Sequence, residues 1–168
     1  FHYIVAPGAL FALCGGLFYW FPKVTGRHMN DALGKAHCLC SFVLLNIIFS
    51  SLMLQGLAGV SRRLYDGGAT YAHGQDVFFL NKSISHTAWT LAIVQLLFVA
   101  NLLYSIKWGR KAGPNPHHAT TLEWKAASPP LSNGNFDTPP HVYRGPNEYS
   151  VPGETDDFTP QWQPETKT

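Results

Sequence analysis

"AHCLCSFVLLNIIFSSLMLQGLAGVS", residues 36–61, carries no Asp, Glu, Lys or Arg. At 1.5 Å rise per residue such a run is longer than the ~30 Å hydrocarbon core of a bilayer. It is also longer than a typical buried helix of a globular domain. Working outward, residues 3–22, "YIVAPGALFALCGGLFYWFP", and 83–106, "SISHTAWTLAIVQLLFVANLLYSI", are equally free of charge. Pro7 and Gly15-Gly16 would break an isolated helix in water. A membrane bundle tolerates them, because neighbours satisfy the freed groups and small residues allow close packing. The expectation is an all-α transmembrane helical bundle with three spans over residues 1–108. An extended, proline-rich tail over 109–168 follows it.

Composition agrees once it is read in two parts. The mean hydropathy of −0.03 looks like that of a water-soluble protein, but it averages an apolar portion with a polar one. The 168 residues carry a net charge of only +2, which argues against nucleic acid as a partner. The three cysteines, Cys14, Cys38 and Cys40, lie in apolar runs and read as small buried hydrophobes rather than as a disulfide framework or a zinc site. Phe1 starts next to an apolar helical stretch, with no basic leader before it. The chain therefore reads as a piece of a longer protein.

The loops orient the spans. Lys23, Arg27 and Lys35 separate the first two, and Lys107, Arg110 and Lys111 follow the third. Three crossings put both groups on one face, and the positive-inside rule makes that face cytoplasmic, with the tail and C-terminus. Arg62 and Arg63 lie in the opposite loop, against that rule, so they need a local partner. His2 begins the first span on the same side as the arginine pair. An imidazole there can ligate a heme iron, carry a proton or tie helices together. Arginine's planar fork suits carboxylates, and a heme carries both an iron and two propionates. The arginines have rival partners in Asp66, Asp76 and lipid phosphate.

The remaining polar residues have plainer readings. His37 reads as an interfacial anchor, Asn46 and Gln55 as amides that tie helices, and His86 as part of a helix start. His117-His118 is an adjacent pair in a polar loop, not a metal site. The tail's prolines exclude long helices and central strands. Its aromatics, among them Trp124, Tyr143 and Phe158, suggest a strap laid over a surface.

Taken together, "FHY…GALFAL…GG…WFP…TG…N", then "K-x-H…N…G-L-x-G-x-x-R-R" and "ATTLEW…SPP" resemble the C-terminal third of subunit I of the heme-copper oxidases, in the cytochrome c oxidase branch. The resemblance runs from Phe1 to about Pro130, and "VYRGPNEYSVPG" is similar to tails of some bacterial members. It implies the last three helices of a twelve-helix subunit. It places His2 as an axial ligand of the low-spin heme iron, and Arg62 and Arg63 on heme propionates. The proximal ligand of the high-spin heme would be the residue before Phe1, and the copper ligands belong to earlier helices. The chain departs from the family at "SLMLQG", residues 51–56, where many members have a Pro-Gln-His-Phe run, and at Pro7.

The implied function is part of a terminal respiratory oxidase. Electrons pass from cytochrome c to dioxygen, which is reduced to water with proton translocation. The implied partners are the rest of subunit I, a dicopper subunit II, subunit III, cytochrome c, dioxygen and membrane lipid. The implied setting is a bacterial inner membrane, and the piece alone is expected to be inactive. A quinol-oxidising member, a non-catalytic membrane subunit and a plain helical scaffold are the alternatives.

Overall fold

In a computed structural model, residues 1–64, 66, 68–132, 134–152 and 157–164 are described. Parts of the tail, 153–156 and 165–168, lie outside them. The chain is all-α, with three long helices: α1 (His2–Thr25), α2 (Asp31–Leu57) and α3 (Leu80–Trp108). All three are long and apolar enough to cross a membrane. Short 3-10 turns occur at Ala72–Val77 and Leu122–Trp124.

Each helix is longer than the uncharged run within it, or displaced from it. The α1 helix runs on through Lys23 to Thr25, where the Thr25 hydroxyl donates back to Phe21 O at 2.8 Å. Gly26 then takes a φ of 69°, the left-handed conformation that ends many helices. The α2 helix starts five residues before the uncharged run. Asn30 caps it, accepting from Leu33 N, and Asp31 in the first turn complements the helix dipole. It ends at Leu57 rather than at residue 61, just before Gly59 with a φ of 82°. Charge marks where a helix leaves hydrocarbon, whereas capping and backbone conformation mark where it stops.

Contacts sort the chain into two units: Phe1–Gly16 with Asn30–Tyr104, and Leu17–Met29 with Ser105–Thr168. In the first unit, α2 buries Gly34, His37, Ser41, Leu45, Ser51 and Gln55. Small and polar residues thus face inward, while Leu39, Phe42, Trp89, Ile93 and Leu96 face outward. This is the membrane pattern, since lipid tails solvate large apolar side chains and polar groups need partners inside the protein.

Those partners form a ladder between α2 and α3. Asn101 Nδ2 donates to Asn30 O at 2.9 Å, and Asn30 N donates to Asn101 Oδ1 at 3.0 Å. Gln95 bridges His37 Nε2 at 3.0 Å and Ser41 Oγ at 3.2 Å. Gln55 Nε2 donates to Asn81 Oδ1 at 2.9 Å. As numbers rise along α2 they fall along α3, so the helices are antiparallel.

His37 is a buried rung of this ladder, 3% exposed. His86 sits inside α3, where its carbonyl accepts from Thr90 Oγ1 at 2.9 Å, rather than at a helix start. Cys14 is buried, but Cys38 and Cys40 lie on the exposed face of α2 and do not serve as core residues within this chain.

In the second unit, the residues after α1 pair with those after α3. His28 N donates to Arg110 O at 2.8 Å and Ala112 N to Gly26 O at 2.9 Å, while Arg27 Nη1 reaches Gly109 O at 2.8 Å. The two basic segments are thus at one end, as three crossings require. The tail then folds back on the end of α1. Lys23 Nζ donates to Pro114 O at 3.0 Å and Ala126 O at 2.6 Å, and sits 5.3 Å from the Trp124 ring centroid. Trp124 is 1% exposed and stacks on Trp20 at 5.3 Å, and His117 stacks on Tyr19 at 4.7 Å. Further along, Gln161 is a node: its amide N–H donates to Thr120 O and its side chain to Arg144 O, while its Oε1 accepts from Leu122 N. Short turns joined by such bonds replace regular structure in a segment whose prolines forbid it.

Candidate functional site

The first unit contains a cavity of about 650 Å³, where the start of α1 faces the end of α2 and the loop that follows. That volume lies within the ~300–1,000 Å³ typical of cofactor and ligand pockets. Phe1, Ile4, Phe49, Leu52, Met53 and Val60 supply apolar walls, and His2, Gln55 and Arg62 are among the few polar groups.

His2 is the first residue of α1, and its ring meets Phe1 edge-on at 5.4 Å. Gln55 is 7% exposed, and its amide nitrogen is committed to Asn81. Arg62 enters from the loop after Gly59. The structure therefore brings His2 and Arg62, sixty residues apart in sequence, to one cavity. Arg63 is not among the described lining residues. Its backbone adopts a φ of 63°, unusual for a residue with a Cβ, and its side chain is exposed.

One rival partner for the arginines is engaged elsewhere. Asp66 Oδ1 accepts from Gly68 N at 3.0 Å, and its Oδ2 accepts from Thr70 N at 3.0 Å and also from the Thr70 hydroxyl. The Thr70 hydroxyl, with the Gly68 and Thr70 amides, holds the Asp66 carboxyl below the usual carboxylate range. Asp66 thus closes its own turn.

Among the described residues, no group of three or more His, Cys, Asp or Glu is placed to hold a bare metal ion. One imidazole, one guanidinium and an apolar cavity suit a different kind of group. A metalloporphyrin brings its own four equatorial nitrogens, needs only axial ligands from protein, and carries carboxylates for a guanidinium. The donor set fits a heme.

The sequence reading of His2 and Arg62 named residues that line the same cavity. It passed over Gln95 and Asn101, whose signal was an amide within an apolar span. It read Lys23 only as a charge between spans, whereas its side chain bonds to partners 91 and 103 residues away. No local pattern announces that pairing.

Comparison with known proteins identifies the family. Residues 1–98 match the family described as Cytochrome C and Quinol oxidase polypeptide I. The chain is 39% identical over 165 residues to the alternative cytochrome c oxidase subunit 1 of Bradyrhizobium diazoefficiens, covering 98% of this chain and 28% of that protein. It is 38% identical over 156 residues to cytochrome c oxidase subunit 1 of Synechocystis, covering 92% and 27%. An archaeal relative, the heme-copper oxidase subunit I+III of Aeropyrum pernix, is 35% identical over 142 residues, covering 84% of this chain and 16% of that protein. The chain spans little more than a quarter of the length of the first two relatives. With three apolar spans, a cavity lined by an imidazole and a guanidinium, and these matches, the chain belongs to the cytochrome c and quinol oxidase polypeptide I family, the subunit I family of the heme-copper oxidases.

Proposed function

We propose that this chain is the C-terminal part of subunit I of a terminal oxidase, and that its cavity holds the low-spin heme. The observation that carries the reading is that His2 and Arg62 line one apolar cavity of suitable size. His2 would hold the heme iron, and Arg62 would neutralise a propionate at the cavity mouth. Arg63, next in the same loop, does not line the cavity and would act there only through its charge. When bound, the heme supplies one-electron transfer towards a high-spin heme and copper pair, whose ligands lie in other parts of the subunit.

The chain's own residues do the positioning. The apolar walls lower the local dielectric, which favours the state of lower net charge. The guanidinium supplies compensating positive charge at the carboxylates, and so influences both potential and nearby proton affinity. The polar ladder between α2 and α3 keeps the wall rigid.

The overall reaction belongs to the whole subunit. Electrons from cytochrome c, arriving through a dicopper subunit II, reduce dioxygen to water with proton translocation, and subunit III completes the assembly. The relatives' names favour cytochrome c as donor, and the family description leaves a quinol-oxidising member as the second reading. The positive charges of Lys23, Arg27, Lys35, Lys107, Arg110 and Lys111 support a cytoplasmic location for that end of the spans and the tail, in a bacterial inner membrane.

The test is His2→Ala in the complete subunit. Loss of the low-spin heme absorption band, with the high-spin signal retained, is expected. An intact low-spin band would refute the assignment. Arg62→Ala is expected to retain heme with an altered midpoint potential, and an unchanged potential would remove the propionate role.

A further inference from the structure

Beside His2, the next residue makes a cross-helix contact that the cavity walls do not themselves require. The Tyr3 hydroxyl donates to Asn46 Oδ1 on α2, and the Tyr3 ring lies 5.7 Å from that of Phe49 at 47°. Asn46 is itself held, because its Nδ2 donates to Phe42 O at 2.8 Å, one turn back on its own helix. That bond fixes the amide orientation and leaves Oδ1 as the acceptor. Tyr3 also lines two cavities, the larger one with His2 and a smaller one of about 190 Å³ with Phe11, Phe42 and Asn46.

His2 and Tyr3 form the first turn of α1, where backbone N–H groups lack helical partners and helices fray. Consecutive helical residues project about 100° apart, as follows from 3.6 residues per turn. Fixing Tyr3 to α2 therefore fixes the rotation of that turn, and with it the direction in which the imidazole leaves the backbone. A phenol in apolar surroundings loses its hydrogen bond if α1 turns, so one rotation is favoured.

We propose that the Tyr3–Asn46 hydrogen bond is a latch that sets the orientation of the His2 imidazole as an axial heme ligand, with Tyr3 and Asn46 as positioning residues. The proposal rests on the assignment of His2 as that ligand. Axial imidazoles need an outer partner to fix ring orientation. Here the fixing acts through the adjacent residue's backbone as well as through any bond to the ring.

The test uses the assembled oxidase carrying Tyr3→Phe, Asn46→Leu and the double change, with His2→Ala as reference. The readouts are the electron paramagnetic resonance g values of the oxidised low-spin heme, which report axial imidazole orientation, and its midpoint potential. Heme content is measured alongside. Each single variant is expected to retain low-spin heme with g values shifted in the same direction. The double variant is expected to show no further shift, because both changes cut one bond. If Asn46→Leu loses heme, the near-isosteric Tyr3→Phe decides. Wild-type g values in Tyr3→Phe, or additive shifts in the double variant, would overturn the latch while leaving His2 as ligand. A low-spin heme surviving in His2→Ala would overturn the ligand assignment and the latch with it.

Discussion

Replacing Lys23 with Met isolates the contact that fastens the tail to the end of α1. The Lys23 side chain is 5% exposed and donates to two tail carbonyls, Pro114 O at 3.0 Å and Ala126 O at 2.6 Å. Met retains most of the apolar stem and removes only the ammonium head. Hydrogen bonds from a charged donor contribute about 1.5–3 kcal/mol each, and the ring contact with Trp124 about 0.5–2 kcal/mol. Desolvating the ammonium offsets a good part of that sum, leaving about 2–3 kcal/mol for the latch. At about 1.4 kcal/mol per decade, the population with a detached tail should rise about 30- to 150-fold. Limited proteolysis of the membrane-embedded protein measures this directly, since cleavage tracks the open population when reclosing is fast. Cleavage within residues 112–128 is expected to accelerate by that factor, with the loop at residues 66–76 unaffected. An acceleration below about threefold would refute the reasoning, because it would put the latch energy below about 0.7 kcal/mol.

Other outcomes follow from single positions. A Cβ on Gly109 would come within 2.5 Å of Ser105 O and 2.6 Å of His28 O, both backbone atoms that cannot swing aside. Gly109→Ala should therefore cost about 1–3 kcal/mol and lower the thermal unfolding midpoint of the assembled protein. Gln95→Leu removes the bridge between His37 and Ser41, which are 3% and 0% exposed. A loss of about 1–2 kcal/mol is expected in thermal denaturation, at the upper end for hydrogen bonds in membrane bundles. Asp66 gives a pH dependence of definite sign. Its folded pKa is lowered, chiefly by Thr70, so its contribution is present above the ordinary value of 3.8 and is lost as pH falls through the lower folded value. The amide resonances of Gly68 and Thr70 should hold steady from neutral pH to about 4 and move only below it, and Asp66→Asn should abolish that titration.

What could be read from residues in order was considerable. Three uncharged runs established three spans, because crossing hydrocarbon is a demand on length and composition alone. Lys23, Arg27, Lys107 and Arg110 indicated which helix ends share a face, and the pairing of residues 26–28 with 109–112 agrees with them. Where reading by charge failed was at the helix ends. Lys23, Asp31 and Lys35 lie inside helices, since a helix outruns the hydrocarbon and stops only at a cap or a left-handed residue. His2 and Arg62 were legible as candidates because an imidazole and an unexplained basic pair are conspicuous beside apolar spans.

Which side chains face one another was decided only by the tertiary structure. Hydropathy is a property of neighbours along the chain, whereas the rotation of each helix about its axis depends on contacts such as Tyr3 with Asn46, 43 residues apart, and Lys23 with Ala126, 103 apart. Membership of a span could thus be read from sequence. The lining of the cavity by Arg62, the burial of His37, and the exposure of Cys38 and Cys40 all required the tertiary structure; along α2 a turn of about 100° per residue sends His37 and its neighbour Cys38 to different surroundings.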